Sequence, residues 1–527
     1  MSYSFSRRTR QLLQRFQAFG AACVTFFVLL GPATAAEPVL TLYSPVAGFD
    51  LPSTPTGPDD IIEALRRGFE LTYDDNQRTA AELRWYKKHP DYLNRVFTRA
   101  QRYLPYIVAE LERRDMPLEL ALLPIVESAF DPFAYSHGRA AGLWQMIPGT
   151  AKRFGIKQNW WYDGRRDIVD STRAALDYLE YLHELNDGDW LNAIASYNSG
   201  EGNVLRAARN NRKKGKPVDF WNLKLPRETS MYVPKLLALV EIVADPGQHN
   251  LTLPVVVDEP QFVVTDIGGQ LDLALAAELA GVDVDTIYRF NPGYNRWSTD
   301  PAGPHQLVLP IDVAETFVSA LGEVPQRERV RWKRHKVESG EAISQIAEKY
   351  STTVSALRAA NNLRGNTIRA GHHLMIPVAT KPLSAYSQSA DARLAKKQNR
   401  KRPGSKVEHV VSSGESFWTI AQRYKVTHRQ LAAWNGMAPG DTLSVGKKLV
   451  VWTKAGSDSP ATSPLTTGST KRKLRYTVRN GDSLYIIARK FRVGIDQIAR
   501  WNGLDKNKIL RPGQKLTLHV DVTAQSS

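Results

Sequence analysis

The sequence predicts a multidomain protein, with an all-α domain in its front half followed by small strand–helix–helix–strand modules. Three observations lead there. Residues 59–250 carry apolar side chains at helical spacing, with no strand pattern of comparable strength. Residues 334–520 contain one pattern three times, at 334–378, 408–452 and 475–520. The chain has 527 residues, too many for one core, so about three to five units are expected.

Composition narrows the function classes. A hydrophobic content of 42% is ordinary for globular protein, but the net charge of +17 is unevenly spread. Residues 321–527 hold about 37 lysines and arginines against about 15 acidic residues, whereas residues 37–320 are net acidic. A basic back half suits an anionic partner, and nucleic acid, anionic lipid and acidic wall polymer all qualify on charge alone. The single cysteine is Cys23, so disulfides and cysteine-based metal sites are excluded after it.

Residues 1–36 begin with Arg7, Arg8, Arg10 and Arg15, continue through an apolar run from Phe19 to Leu30, and end at Ala33-Thr34-Ala35-Ala36. This is the pattern of a secretory signal peptide and predicts export. Left uncleaved, the run would attach the chain to a membrane, although it is short for a span. A lipoprotein needs its cysteine after the run and a Leu-like residue three positions earlier. Cys23 lies inside the run and Gly20 stands at that place, so lipidation is not expected.

Residues 37–58 are Pro-rich and predicted extended. From Asp59 the pattern is helical, with Ile61, Ile62, Leu65 and Phe69 on one face. Further helices are predicted over Ala81–Lys88, 90–112 and 118–130, the last interrupted by Pro124 and ended by Asp131-Pro132. Gly142 opens a turn that leads into a helix with Pro148 near its start. Asp167 to Leu185 is amphipathic, with Ala175, Leu179 and Leu182 on its stripe. Asp189 precedes a helix ending at Ser196-Tyr197-Asn198, and a last helix follows Glu228.

Within this half, Glu127 stands in the apolar setting Leu-Leu-Pro-Ile-Val-Glu127-Ser128-Ala-Phe. A charged side chain there costs several kcal/mol unless paired, and burial relieves the cost by raising the carboxyl pKa. The result is a proton donor near neutral pH, as a general acid for cleaving a glycosidic bond requires. The alternative is a helix-end glutamate with its head in water. Ordinary glycosidases use two carboxylates. The further candidates Asp131, Asp163, Asp167 and Asp170 each fit helix caps or turns better. The pair Trp160-Trp161 suits either a sugar-stacking platform or the core.

Four motifs in order, Glu127-Ser128, Gly142-Leu143-Trp144-Gln145, Ser196-Tyr197-Asn198 and Tyr232 within Glu-Thr-x-x-Tyr-Val, resemble those of the lytic transglycosylases with a goose-lysozyme-like fold. The resemblance covers roughly residues 60–245 and implies an all-α lysozyme-like (SLT) catalytic domain. Ser196 departs from it, since the family usually has Ala there. The resemblance implies that Glu127 protonates the bond between N-acetylmuramic acid and N-acetylglucosamine. As carboxylate it would then take the proton of the sugar's own C6 hydroxyl, which closes a 1,6-anhydro ring in place of water. Ser128 and Tyr232 would orient Glu127. Gln145 and Asn198 would hold substrate amides, with Met146 and Tyr197 beside them, and Gly142 would let the backbone approach the sugar. No cofactor and no metal are implied.

Each repeat starts with a short strand (His335, His409 or Tyr476), then Gly340-Glu341, Gly414-Glu415 or Gly481-Asp482. Two helices follow, the second ending at Asn361, Asn435 or Asn502, and then a closing strand. These βααβ units resemble the LysM module, which implies binding to the N-acetylglucosamine-containing glycan strands of peptidoglycan. Ser416 and Ser483 are predicted N-caps, and Ala342 lacks that function. Residues 251–330, with a strand-like stretch at 253–257 and Asn291 before Leu309-Pro310, lay over the first repeat as a degenerate copy packed on the catalytic domain. Residues 379–406 and 453–473 are Ser/Thr/Pro/Lys-rich and predicted to be flexible linkers.

The reading is therefore an exported, envelope-located peptidoglycan lytic transglycosylase anchored by LysM repeats, with no nucleic-acid partner. Its rivals are a goose-type lysozyme that hydrolyses the bond with water and a non-catalytic wall-binding protein.

Overall fold

Residues 60–72, 76–453, 471–478, 484–491, 495–504, 510 and 513–521 are described by the computed structural model. The leader, the extended segment, residues 454–470 of the second linker, Gly481, Asp482 and Ser483 lie outside the described residues. The chain divides into two units, one reaching Trp452 and one beginning at Thr453.

The catalytic half is helical. Its elements are α1 (Ile61–Arg67), α2 (Gln77–Lys87), α3 (Pro90–Ala100), α4 (Leu104–Arg113), a 3-10 turn (Leu118–Leu122), α5 (Leu123–Ser128), α6 (Pro148–Arg153), α7 (Ile168–Leu185), α8 (Trp190–Ser199), α9 (Glu201–Arg212) and α10 (Arg227–Ala244). Local chemistry sets many of the starts. Asp167 accepts from the Val169 and Asp170 amides at 2.9 Å, and Asp189 accepts from Asn192 at 2.9 Å. Prolines decide two breaks. The stretch 90–112 is two helices, because Pro105 fits only a first turn and α4 starts beside it. Pro124 likewise opens α5 after the 3-10 turn, so 118–130 is not one kinked helix.

One core gathers the inward faces of these helices, including Ile61, Phe97, Leu120, Trp144, Leu179 and Leu236. Another buried glutamate, Glu119, is spent on structure. Its carboxylate accepts from the Glu70 and Leu71 amides at 2.8 and 2.7 Å and ties the loop after α1 to the 3-10 turn.

The middle domain pairs Phe262–Asp266 with Gln306–Pro310 antiparallel, around helices Leu273–Ala280 and Val284–Phe290. The stretch 253–257, expected as its opening strand, is not a strand. Val256 is buried, but its carbonyl accepts from Ile61, so its apolar character serves the catalytic core. The expected packing on the catalytic domain holds: the Asn295 amide donates to the Trp161 carbonyl at 2.8 Å, and Trp161 and Tyr162 enter the middle domain's core.

The four copies share one internal clamp, which explains the asparagine that ends each second helix. In the middle domain the Asn291 amide donates to the Ile287 and Val308 carbonyls at 2.9 and 2.6 Å, and accepts from the Val308 amide at 2.8 Å. Asn361 does the same with Leu357 and Met375, Asn435 with Leu431 and Val450, and Asn502 with Ile498 and Thr517. Each side chain fastens the second helix to the closing strand. Asn291→Ala would leave the Val308 amide and carbonyl without their side-chain partner, while the Ile287 carbonyl keeps the Asn291 backbone amide. We expect it to lower stability by about 2–4 kcal/mol and to speed hydrogen exchange at Val308. Unchanged exchange there would show that the clamp is dispensable.

In the first two LysM modules, His335 and His409 lie 2.9 and 2.8 Å from Glu341 and Glu415, and 3.1 Å from Tyr350 and Tyr424. Ser416 caps its helix as expected, through the Thr419 amide at 3.2 Å. At Ala342 the Gln345 side chain accepts from the backbone amide instead, at 2.9 Å.

Residues 379–406 correct an expectation. They include a helix, Ala390–Asn399, capped by Ser389, and the fully buried Tyr386. Asp272, itself buried as the cap of Leu273–Ala280, has lone pairs to spare. The Tyr386 hydroxyl donates to it at 2.9 Å, and the Thr380 amide also donates at 2.9 Å. Arg296 pairs with Asp391 at 2.5 Å, and Gln398 donates to Asn435 at 2.9 Å. The segment is pinned rather than free along these residues. The second module also meets the catalytic domain, where Arg139 pairs with Asp441 at 2.5 Å. In the second unit, Lys471–Thr477 pairs antiparallel with Lys515–Asp521, so the third module's strand starts inside the stretch expected as linker.

Candidate active site

Glu127 sits on the last turn of α5, as the apolar run predicted. The helix ends abruptly there, because Ala129 and Phe130 both adopt left-handed backbone, with φ of 53° each. The turn aims Glu127 into a cleft of about 810 Å³, within the usual range for ligand sites. From α10, the buried Tyr232 hydroxyl donates to Glu127 Oε1 at 2.5 Å. Burial raises the Glu127 carboxyl to about 7; the Tyr232 hydrogen bond opposes this rise and the negative charge of Glu228 adds to it.

The loop Gly142–Met146 forms the facing wall. Trp144 is fully buried and its indole donates to Thr172 at 3.0 Å, which fixes the loop on α7. Gln145 adopts φ of 45° and its amide lies on the Gly142 and Ala134 carbonyls at 2.9 and 3.3 Å. The Tyr197 hydroxyl, from α8, donates to the Trp144 carbonyl at 2.8 Å. Met146 and Asn198 line the cleft beside them. Among the described residues the Asn198 amide has no hydrogen-bond partner, which leaves it available to a ligand.

The transglycosylase SLT domain model matches residues 105–220, and the model of the lytic transglycosylase MltD LysM-like domain matches 261–326. The LysM domain model matches at 335–377, 409–452 and 476–518. Over 411 residues the chain is 34% identical to the membrane-bound lytic murein transglycosylase D of Escherichia coli, covering 74% of this chain and 87% of that protein. The chain belongs to the lytic murein transglycosylase D family. This transglycosylase is also 32% identical over 182 residues to the N-acetylmuramoyl-L-alanine amidase sle1 of Staphylococcus epidermidis, covering 34% of this chain and 49% of that one. Among solved structures, the lytic transglycosylase Slt of Pseudomonas aeruginosa is 26% identical, covering 29% of this chain and 25% of its own, with a TM-score of 0.23.

The transglycosylase brings six of its eight expected site residues to the cleft: Glu127, Gln145, Met146, Tyr197, Asn198 and Tyr232. Two serve it from behind. The Ser128 hydroxyl donates to the Leu143 carbonyl at 2.9 Å and to that of Pro124 at 3.1 Å rather than to Glu127, joining α5 to the facing loop. Gly142 makes room for protein rather than sugar, since a Cβ there would lie 1.8 Å from the Arg165 carbonyl oxygen. Ser196 is buried and its hydroxyl accepts from Asn186 at 3.2 Å, so it fits the place where the family usually has Ala.

None of the four aspartates lines the cleft. Asp131 holds the Phe133 amide, Asp163 pairs with Arg165, Asp167 caps α7 and Asp170 accepts from Tyr162. Trp161 is core, packed edge-on to Trp297, and Trp160 lies under Arg296. Sequence reasoning missed Glu201 and Glu228, which both line the cleft. Glu201 accepts from the Tyr178 hydroxyl at 3.2 Å and lies 3.5 Å from Arg153, while Glu228 is exposed in the first turn of α10. The Glu201-Gly202 pair after Ser199-Gly200 was the available signal, being placed at a helix junction beside Asn198.

Proposed function

We propose that Glu127 is both acid and base in one non-hydrolytic cleavage of the bond between N-acetylmuramic acid and N-acetylglucosamine. The observation that carries this is its carboxyl, raised to about 7 and held by the Tyr232 hydroxyl at 2.5 Å. Near neutrality both forms are populated. The acid form gives its proton to the glycosidic oxygen as the C1–O bond breaks. The carboxylate then takes the C6 hydroxyl proton while that oxygen bonds to C1, so no water enters and the proton is regained. Asn198, Gln145 and Tyr197 would hold the sugar so that this intramolecular closure is favoured. The LysM modules would keep the enzyme on wall glycan. The leader and the relative's name support a place in the bacterial envelope, reached by export, with a membrane attachment if the leader persists.

The pH profile tests the acid role. The acid form is needed first, so kcat/KM should be flat below about pH 7 and fall about tenfold per unit above it. Tyr232→Phe removes the hydroxyl that favours the carboxylate, so it should move this limb to higher pH and lower turnover. A limb near the ordinary glutamate value of about 4.3, or one unmoved by Tyr232→Phe, would overturn the assignment.

A specific observation favours a second reading. Glu228 borders the same cleft, and an exposed carboxylate there could serve a water molecule as base, which would make the enzyme a lysozyme.

A further inference from the structure

A second cavity of about 850 Å³ lies between the catalytic domain, the middle domain, helix Ala390–Asn399 and the second LysM module. Seven lysines and arginines line it against two carboxylates, and one of those, Asp391, is already taken by Arg296. Among the described residues, Arg393, Lys397, Arg400 and Lys447 have no carboxylate within ion-pair distance. Arg393 instead lies over the Phe133 ring at 4.6 Å and donates to the Gln388 carbonyl. Arg166, only 12% exposed, reaches Asp163 and Asn295 and still leaves its Nε without a partner. Partial burial and then the charge of Arg166 disfavour the Arg393 cation. Like charges gathered at a half-buried site without counter-charge are costly, and a bound anion removes that cost.

The cavity adjoins the catalytic cleft. Ser136 and His137 line the cleft and also a smaller cavity against the second LysM module. That smaller cavity shares Tyr135, Lys397, Arg400 and Gly436 with the cationic one. A strand seated at Glu127 therefore has cationic space within reach along residues 135–137. Its sugars offer little charge, but the peptides on its lactyl arms carry free carboxylates, which lysine and arginine bind well.

We propose that this cavity binds the carboxylates of peptide stems on the strand being cut, so that the enzyme prefers peptide-bearing to naked glycan. The proposal rests on the transglycosylase reading above. Lys397 and Arg400 are exposed and, among the described residues, their side chains make no hydrogen bond or ion pair, so Lys397→Gln with Arg400→Gln should fold. The test compares kcat/KM of the full chain on peptide-bearing strands and on the same strands stripped of peptide. The wild type should favour the former, and the double variant should lower that ratio about tenfold. Equal loss on both substrates, or no change in the ratio, would overturn the proposal. Failure of the wild type to cleave either substrate would instead count against the function itself. Calorimetric titration of free stem peptide into full-length Glu127→Gln needs no turnover. Binding should appear there and vanish when the two further substitutions are added. Equally tight binding of inorganic phosphate would identify a general anion site and overturn the peptide assignment.

Discussion

Glu127→Gln should lower turnover by at least about a hundredfold and, above neutral pH, make the catalytic domain more stable than the wild type. The first effect follows because the amide keeps the shape and the Tyr232 hydrogen bond but cannot transfer a proton. The second follows from linkage. The folded carboxyl titrates at about 7, above the unfolded value of about 4.3, so the folded state binds more protons between them. Stability contributed by the neutral form is present at low pH and is lost as pH rises through about 7. The loss is about 4 kcal/mol once both states are ionised, and glutamine does not suffer it. Denaturant melts should therefore show equal stability near pH 4 and a gain for the variant near pH 8. No gain at pH 8 would mean that Glu127 is well solvated, contrary to its place in the cleft.

Gly142→Ala should destabilise the catalytic domain by about 2–5 kcal/mol, through overpacking and left-handed backbone together. The backbone at Gly142 has φ of +83°, and the added Cβ would meet the Arg165 carbonyl oxygen at 1.8 Å. That carbonyl has little freedom, since the Arg165 side chain is held on both oxygens of Asp163 at 2.8 Å. Activity should fall because the wall bearing Gln145 and Met146 shifts. Were the glycine needed only for sugar approach, the variant would melt like the wild type and show a raised KM alone. Thermal unfolding beside kinetics separates the two.

The features legible in the sequence are those fixed by short-range chemistry. Asp167 and Asp189 cap helices within three residues of themselves, and Glu127 carries its apolar environment in its own helix. The repeats announce themselves through the clamp asparagine, whose partners lie on one helix turn and one strand of the same module. Features fixed by distant partners were not legible. The helix Ala390–Asn399 has little apolar surface of its own and looks like linker. Its place depends on Asp272 and Asn295, about a hundred residues away, through Tyr386 and Ala390. Residues 253–257 have strand composition, but their partner is α1 rather than another strand. The parts played by Ser128 and Gly142 rest on the Leu143 and Arg165 carbonyls, and neither contact has a signature in residue type. Glu201 and Glu228 reach the cleft from two further helices, and only the folded chain brings them to it.

Whether C6 hydroxyl or water attacks decides between the transglycosylase chemistry and the Glu228-assisted alternative. Digestion of sacculi in water labelled with heavy oxygen, followed by mass analysis of the glycan ends, tests this directly. Intramolecular closure gives non-reducing 1,6-anhydro ends without label. Reducing ends, heavier by one labelled water, would contradict it and assign hydrolysis to this cleft.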